Sequence, residues 1–173
     1  MNQSENAYTA LAMASLRHYL ETGKTLKTPE NLPAEMLSRK ASTFVTLHKF
    51  GQLRGCIGTI SPIRRSIAEE IIHNAISSGT ADPRFPAVKI NELADLTISV
   101  DVLAEPEPIQ SSDQLDIKRY GVIVSSGFRR GLLLPNLDGI SSVAEQVAIA
   151  RRKAGISADE PVQLERFEVV RYE

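Results

Sequence analysis

Cysteine occurs once in the 173 residues, at Cys56. A single thiol excludes an intrachain disulfide, a four-cysteine zinc site and a self-contained cysteine-ligated iron–sulfur cluster. Net charge is also lacking: 20 Lys and Arg against 21 Asp and Glu leave a formal charge of −1. Such a balance provides no global field to draw in nucleic acid or an anionic membrane. No stretch approaches the ~20 apolar residues of a membrane span. Residues 1–23 lack the basic lead and unbroken apolar run of a secretory signal, because Arg17 and His18 interrupt the only candidate. A cytoplasmic protein with a reduced thiol is the expectation. The phosphate-binding loop, the Gly-x-Gly-x-x-Gly fingerprint, the His-Glu-x-x-His zinc helix and the Gly-x-Ser-x-Gly elbow are all absent.

What is present suffices for a folded core. Hydrophobic residues make up 42% and charged residues 24%, a composition that buries a core without help from metals or disulfides. The length suits one domain spanning residues 1–173, with two lobes around connected cores.

Apolar residues at Leu11, Leu16 and Leu20 describe an opening helix stopped near Gly23. Pro29 and Pro33 mark a connector with at most a short helical turn around Ala34–Leu37. Phe44–Lys49 and Gln52–Ile60 read as a hairpin about Phe50-Gly51. Ser61-Pro62 then suggests the cap and first position of a helix, with Ile63, Ile67, Ile71 and Ala75 as its stripe and Gly79 near its end. Leu96, Ile98, Val100 and Val102 alternate with polar residues as in a half-buried strand, ended by Glu105-Pro106-Glu107-Pro108. Tyr120–Ser126 and Arg129–Leu134 form a second hairpin candidate. A helix through Val143, Val147, Ala150 and Ala154 follows, capped by Ser141 or Ser142 and stopped by Gly155, and Gln163–Tyr172 reads as one final strand. Hairpin-linked strands with separate helices predict an α+β fold, a largely antiparallel sheet with flanking helices.

Leu53-Arg54-Gly55-Cys56-Ile57-Gly58 carries the most chemistry. Residues two apart on a strand share a face, so Arg54 and Cys56 are expected to point together, with Gly55 and Gly58 allowing close approach of a ligand. A guanidinium nearby favours thiolate. The same segment has a plainer reading. A regular two-residue turn at Phe50-Gly51 pairs Cys56 with Val45 and Arg54 with Leu47, making the cysteine a small core residue, and a bulge would flip the face.

Asp82-Pro83-Arg84-Phe85-Pro86 stiffens a carboxylate, a guanidinium and an aromatic ring into one short segment. It serves either recognition, with Arg84 and Arg54 as clamps for a small anion, or fastening of the loop, with Phe85 as a plug. His73, in Glu70-Ile71-Ile72-His73, is a candidate base for Cys56 if its helix packs behind the hairpin; the alternative is a solvated or capping histidine. One Glu-x-x-His pair falls short of a di-iron set, so no metal or other cofactor is expected. Arg129-Arg130 and Arg151-Arg152-Lys153 would serve nucleic acid only if gathered on one face.

Leu53-Arg54-Gly55-Cys56-Ile57-Gly58-Thr59 resembles the AMMECR domain family, of the type called AmmeMemoRadiSam system protein A. Asp82-Pro83-Arg84-Phe85-Pro86, Gly121-Val122-Ile123, Arg130-Gly131-Leu132-Leu133-Leu134-Pro135 and Lys153-Ala154-Gly155 agree with it in order, so similarity covers residues 7–172. The resemblance implies two lobes, the larger from both chain ends and the smaller from a middle segment, with the Arg-Gly-Cys strand near the cleft between them. It implies no established reaction. It does imply genomic company with Memo-like and radical-SAM proteins as partners. Relatives often carry Cys where Arg151 stands and a Trp within residues 159–162, and neither is present here. Two functions follow as expectations: a module that docks onto such partners through exposed positions such as Phe50 and Phe85, or a small-molecule enzyme with Cys56 as nucleophile or thiol contact for an anionic substrate.

Overall fold

In the computed structural model, which describes residues 6–173, local capping chemistry sets most helix ends. Helix α1, Ala7–Thr22, begins where the Asn6 side chain accepts the Tyr8 N–H and ends at Gly23 with φ 70, a left-handed stop that suits glycine. A single turn, α2, occupies Ala34–Ser38. Strands β1, Thr43–Lys49, and β2, Gln52–Gly58, form the expected hairpin. The next helix, α3, spans Ile67–Thr80.

Helix α3 starts five residues later than Ser61-Pro62 suggests. Ser66 is the cap, its hydroxyl accepting the Glu69 N–H. The reason lies in Glu70, which is 1% exposed. Its carboxylate accepts the Ile63 and Arg64 N–H groups and the Thr59 hydroxyl, so residues 59–64 wrap around a buried anion instead of continuing a helix. Ile63 consequently stands out in solvent.

A 3₁₀ turn at Ile90–Asp95 leads into β3, Leu96–Leu103. Then come β4, Glu107–Ile109, β5, Gly121–Ser126, β6, Arg129–Leu133, helix α4, Val143–Ala154, and strands β7, Gln163–Phe167, and β8, Val169–Tyr172. The run read as one final strand is therefore two, divided at Glu168. Proline-bearing β4 occupies a sheet edge, where a missing N–H costs no ladder bond.

The α+β class holds, with two four-stranded antiparallel sheets. One is ordered β2-β1-β3-β8 and the other β4-β7-β5-β6. The chain divides into two units: residues up to Val102 with Val170–Glu173, and Leu103–Val169. In the first unit Leu16, Val45, Leu47, Ile67, Ile71 and Val100 fill the core between sheet and helices. In the second, Val122, Val124, Leu133 and Ala150 do so beneath α4.

Four cations of the basic runs, Arg129, Arg130, Arg151 and Lys153, are engaged within the second unit. Arg129 donates to Gly155 O and pairs with Glu160. Arg151 donates to the Ser157 and Glu160 carbonyls at 2.7 and 2.9 Å, Lys153 to Leu132 O at 2.7 Å, and Arg130 pairs with Glu165.

Candidate functional site

The first hairpin turns at Phe50 and Gly51, with φ 52 and 77, the two left-handed residues of a tight reversal. Pairing starts regularly, Lys49 opposite Gln52 and His48 opposite Leu53, and then slips by one residue: Leu47 faces Gly55, Thr46 faces Cys56 and Phe44 faces Gly58. Arg54 is the inserted residue of a β-bulge, which bends a strand and re-aims a side chain.

This bulge overturns the regular register. Cys56 sits opposite Thr46, its Sγ 3.2 Å from the threonine Oγ1, and not opposite buried Val45. Gly55 takes the place beneath α3, where a Cβ would lie 2.1 Å from the Ser78 carbonyl oxygen. Since Gly55 faces the helix, Cys56 faces the other side of the sheet and is half-buried there.

The shared orientation of Arg54 and Cys56 fails for the same reason. Arg54 forms a two-pronged pair with Glu92, Nε to Oε2 at 3.1 Å and Nη2 to Oε1 at 3.0 Å, and donates to Pro86 O at 2.9 Å. The same carboxylate takes the Lys49 Nζ at 3.0 Å. By alternation Lys49 belongs to the Val45–Leu47 face, so Arg54 is drawn toward the side Cys56 leaves.

The guanidinium beside Cys56 is instead that of Arg84. Strand β2 is a sheet edge, and its outward amide at Cys56 needs a partner. Asp82 supplies one: Oδ2 accepts the Cys56 N–H at 2.9 Å. Asp82 also holds Arg84 through its N–H, Nε and Nη2, at 3.0, 3.0 and 2.8 Å. The Arg84 Nη2 reaches the Cys56 carbonyl at 3.5 Å. The Asp-Pro-Arg segment thus stands where a neighbouring strand would, offering an acceptor and a donor to one residue of the edge. Arg84, and then the Cys56 and Arg84 amides, hold the buried Asp82 carboxyl far below its usual range despite the opposing effect of burial. Phe85 is half-buried, with the Arg84 guanidinium 5.5 Å from its ring centre.

Gly58 lies under the Phe44 ring, whose nearest atom would be 2.2 Å from an added Cβ. His73 is not brought to Cys56. On α3 it sits one residue from Asn74, which bonds to Thr43 on the sheet, and so points roughly 100° around the helix from that face. It lines a groove with Leu26, Lys27, Thr28 and Ile72. Burial, and then the charge of Arg64, push its imidazole below the ordinary value.

Sequence reasoning missed Glu92, the carboxylate that fixes both cations at the hairpin end. Its pKa is held down to about 2, first by Arg54, then by the Lys89 N–H and Lys49. The spacing of Lys89 and Glu92 was the available signal, because an acid three residues into a helical turn often accepts the amide that precedes it. No cluster of metal-ligating side chains occurs among the described residues, and no helix among them is long and apolar enough to cross a membrane.

The AMMECR1 family model matches residues 9–173. A Thermotoga maritima protein is 48% identical over 170 residues, covering 97% of this chain and 98% of its own length. A Clostridium acetobutylicum protein is 50% identical over 171 residues, 98% of this chain, and the chain spans 36% of that protein. Among solved structures, an uncharacterized protein from Pyrococcus horikoshii superposes with a TM-score of 0.87 at 34% identity, covering 95% of this chain and 88% of that one.

Proposed function

The chain belongs to the AMMECR1 family, and from that premise we propose that it is a protein-docking module that presents the end of its first hairpin to a partner. One observation carries this reading. Phe50 is 79% exposed and holds φ 52, a conformation that costs a bulky side chain about 1 kcal/mol or more and that Asn or Gly adopts without it. Folding alone favours Asn here. A rigid aromatic ring at the tip is the kind of side chain that anchors an interface. Leu53 nearby is also exposed. Behind them, Lys49 and Arg54 converge on Glu92, so the tip is fixed before any encounter, which lowers the ordering cost of binding.

The partners that fit best are the Memo-like and radical-SAM proteins of the cytoplasm that the resemblance brings with it. Calorimetric titration against each, with wild type and Phe50→Asn, is the test. Phe50→Asn is expected to raise stability by about 1 kcal/mol and to weaken binding by roughly 30-fold or more. Unchanged affinity would remove the ring as anchor, and no binding of wild type to any of these proteins at high micromolar concentration would refute the reading.

A second reading rests on the bulge, which takes the sulfur out of the core and sets it near the Arg84 guanidinium. Here Cys56 is a nucleophile or thiol contact for a small anionic substrate, with Arg84 as the charge that favours thiolate. The expected result is alkylation of native protein with a midpoint below the ~8.5 of an ordinary cysteine. An unreactive thiol, or an ordinary midpoint, would leave docking alone.

A further inference from the structure

We propose that the docking surface reaches beyond the hairpin to the Lys89-Ile90 turn, and that the partner it fits is a folded protein presenting an apolar pocket bordered by carboxylates. This deepens the docking reading and rests on it.

Glu92 is the hub of the surface. Its Oε2 takes the Lys49 Nζ at 3.0 Å and the Arg54 Nε at 3.1 Å, and its Oε1 takes the Arg54 Nη2 and the Lys89 N–H, both at 3.0 Å. Each of the three residues held there has an exposed hydrophobic neighbour in the chain: Phe50 after Lys49, Leu53 before Arg54 and Ile90 after Lys89. Seven large hydrophobic side chains are exposed among the described residues, and one carboxylate gathers the segments of three of them. Singly such residues need no explanation, whereas a gathered set marks an interaction surface. Ile90 is 52% exposed at the first position of its 3₁₀ turn, so folding gains little from its side chain. Exposed Pro86 joins the same set, since its carbonyl accepts the Arg54 Nη1 at 2.9 Å.

The charge around these side chains selects the partner. Lys49 and Arg54 share one carboxylate, so the brace keeps a positive charge. Lys89 adds another, because it is exposed and makes no ion pair among the described residues. Asp95, at the far end of the turn, is its only other acid, and Arg84 is offset by Asp82. Three cations therefore stand against two carboxylates. That excess is too small to hold a polyanion, which needs several phosphate contacts. It does suit a protein surface with acids around an apolar centre: the rim charges steer the encounter, and the apolar groups hold the complex.

Association and dissociation rates of the full chain with the Memo-like and radical-SAM proteins, measured by surface plasmon resonance, separate these two parts. Ile90→Ser should speed dissociation about tenfold and leave association unchanged. Lys89→Gln keeps the backbone N–H that Glu92 accepts; it should slow association about threefold in about 50 mM salt and have no effect in about 500 mM salt. Ile63→Ser removes a still more exposed side chain, from a segment held by Glu70 and not by Glu92, and should change neither rate. An unaltered dissociation rate in Ile90→Ser, a salt-independent effect of Lys89→Gln or none, or an equal loss in Ile63→Ser would overturn the inference. If Phe50→Asn weakens binding while Ile90→Ser and Lys89→Gln leave it intact, the docking reading stands and this extension falls; no binding of wild type removes both. Tighter binding to phosphatidylserine vesicles than to either protein would assign the surface to a lipid and overturn the protein partner.

Discussion

Gly55→Ala is expected to destabilise the first unit by about 3 kcal/mol or more, at the upper end of overpacking costs, and to lower the melting temperature by roughly 6–12 °C. The added Cβ would meet the Ser78 carbonyl oxygen at 2.1 Å and its carbon at 3.1 Å. Those atoms belong to α3 backbone that cannot step aside. The Ser78 hydroxyl donates to Val45 O at 2.6 Å and accepts the Ile57 N–H at 2.8 Å, and Asn74 Nδ2 donates to Thr43 O and Oγ1 at 3.0 Å. Moving the helix to admit one methyl breaks bonds to both strands of the hairpin.

Two other glycines make this a controlled comparison. Gly131→Ala places a Cβ 2.0 Å from the Ala150 carbonyl of α4, and should cost as much in the second unit. Gly58→Ala meets the Phe44 ring first, 2.2 Å from its Cγ, a half-buried side chain in place of helix backbone, and should cost less, about 1–2 kcal/mol. Amide hydrogen exchange separates the units: Gly55→Ala should lower protection in α3 and β2, and Gly131→Ala in α4 and β6. Equal losses from Gly55→Ala and Gly58→Ala would show that the helix yields as easily as a ring.

Both Gly55 and Gly58 stood out in the sequence, but the reason for Gly55 did not. Its constraint is a carbonyl 23 positions along the chain. Period-two alternation through Leu53-Arg54-Gly55-Cys56 puts the arginine and thiol on one face, and nothing in those four letters announces an inserted residue. The bulge is a tertiary compromise: Gly55 must lie under Ser78 while Arg54 reaches Glu92, and only a slip in pairing satisfies both. Ser61-Pro62 is a sound local cap that lost to a buried carboxylate nine positions on. The change of sheets at Glu168 has no local mark either, since strand-forming residues continue on both sides of it. Signals confined to a few residues survived intact: helical periodicity in α1 and α4 and the left-handed stops at Gly23 and Gly155; alternation in β3 held on its apolar side, while Asp101 of the expected polar side is buried against Arg171. Asp82-Pro83-Arg84 was legible as a stiff loop, but the amide it covers could be named only once β2 was known to be an edge.

Acid should dissolve the brace behind the hairpin, and Glu92 sets the range. Its ordinary value of 4.5 falls to about 2 in the folded protein, chiefly through Arg54. A lowered folded pKa means that the unfolded chain binds the proton first. The stabilisation is therefore complete above about pH 4.5 and is lost as pH falls toward 2. At 1.36 kcal/mol per unit the loss is about 3 kcal/mol, and because the carboxylate is mostly shielded from solvent, salt should reduce it only modestly. Asp82, also held low, adds to the same trend at still lower pH. Glu92→Gln should be less stable than wild type by about 2 kcal/mol at pH 7, and its urea midpoint should change less than that of wild type between pH 5 and pH 2.5. Parallel decline of the two proteins would mean that Glu92 contributes no proton linkage. The same variant releases Arg54 and Lys49 without touching Phe50, so if a preorganised tip is what a partner reads, Glu92→Gln must weaken docking at pH 7 while the aromatic ring stays in place.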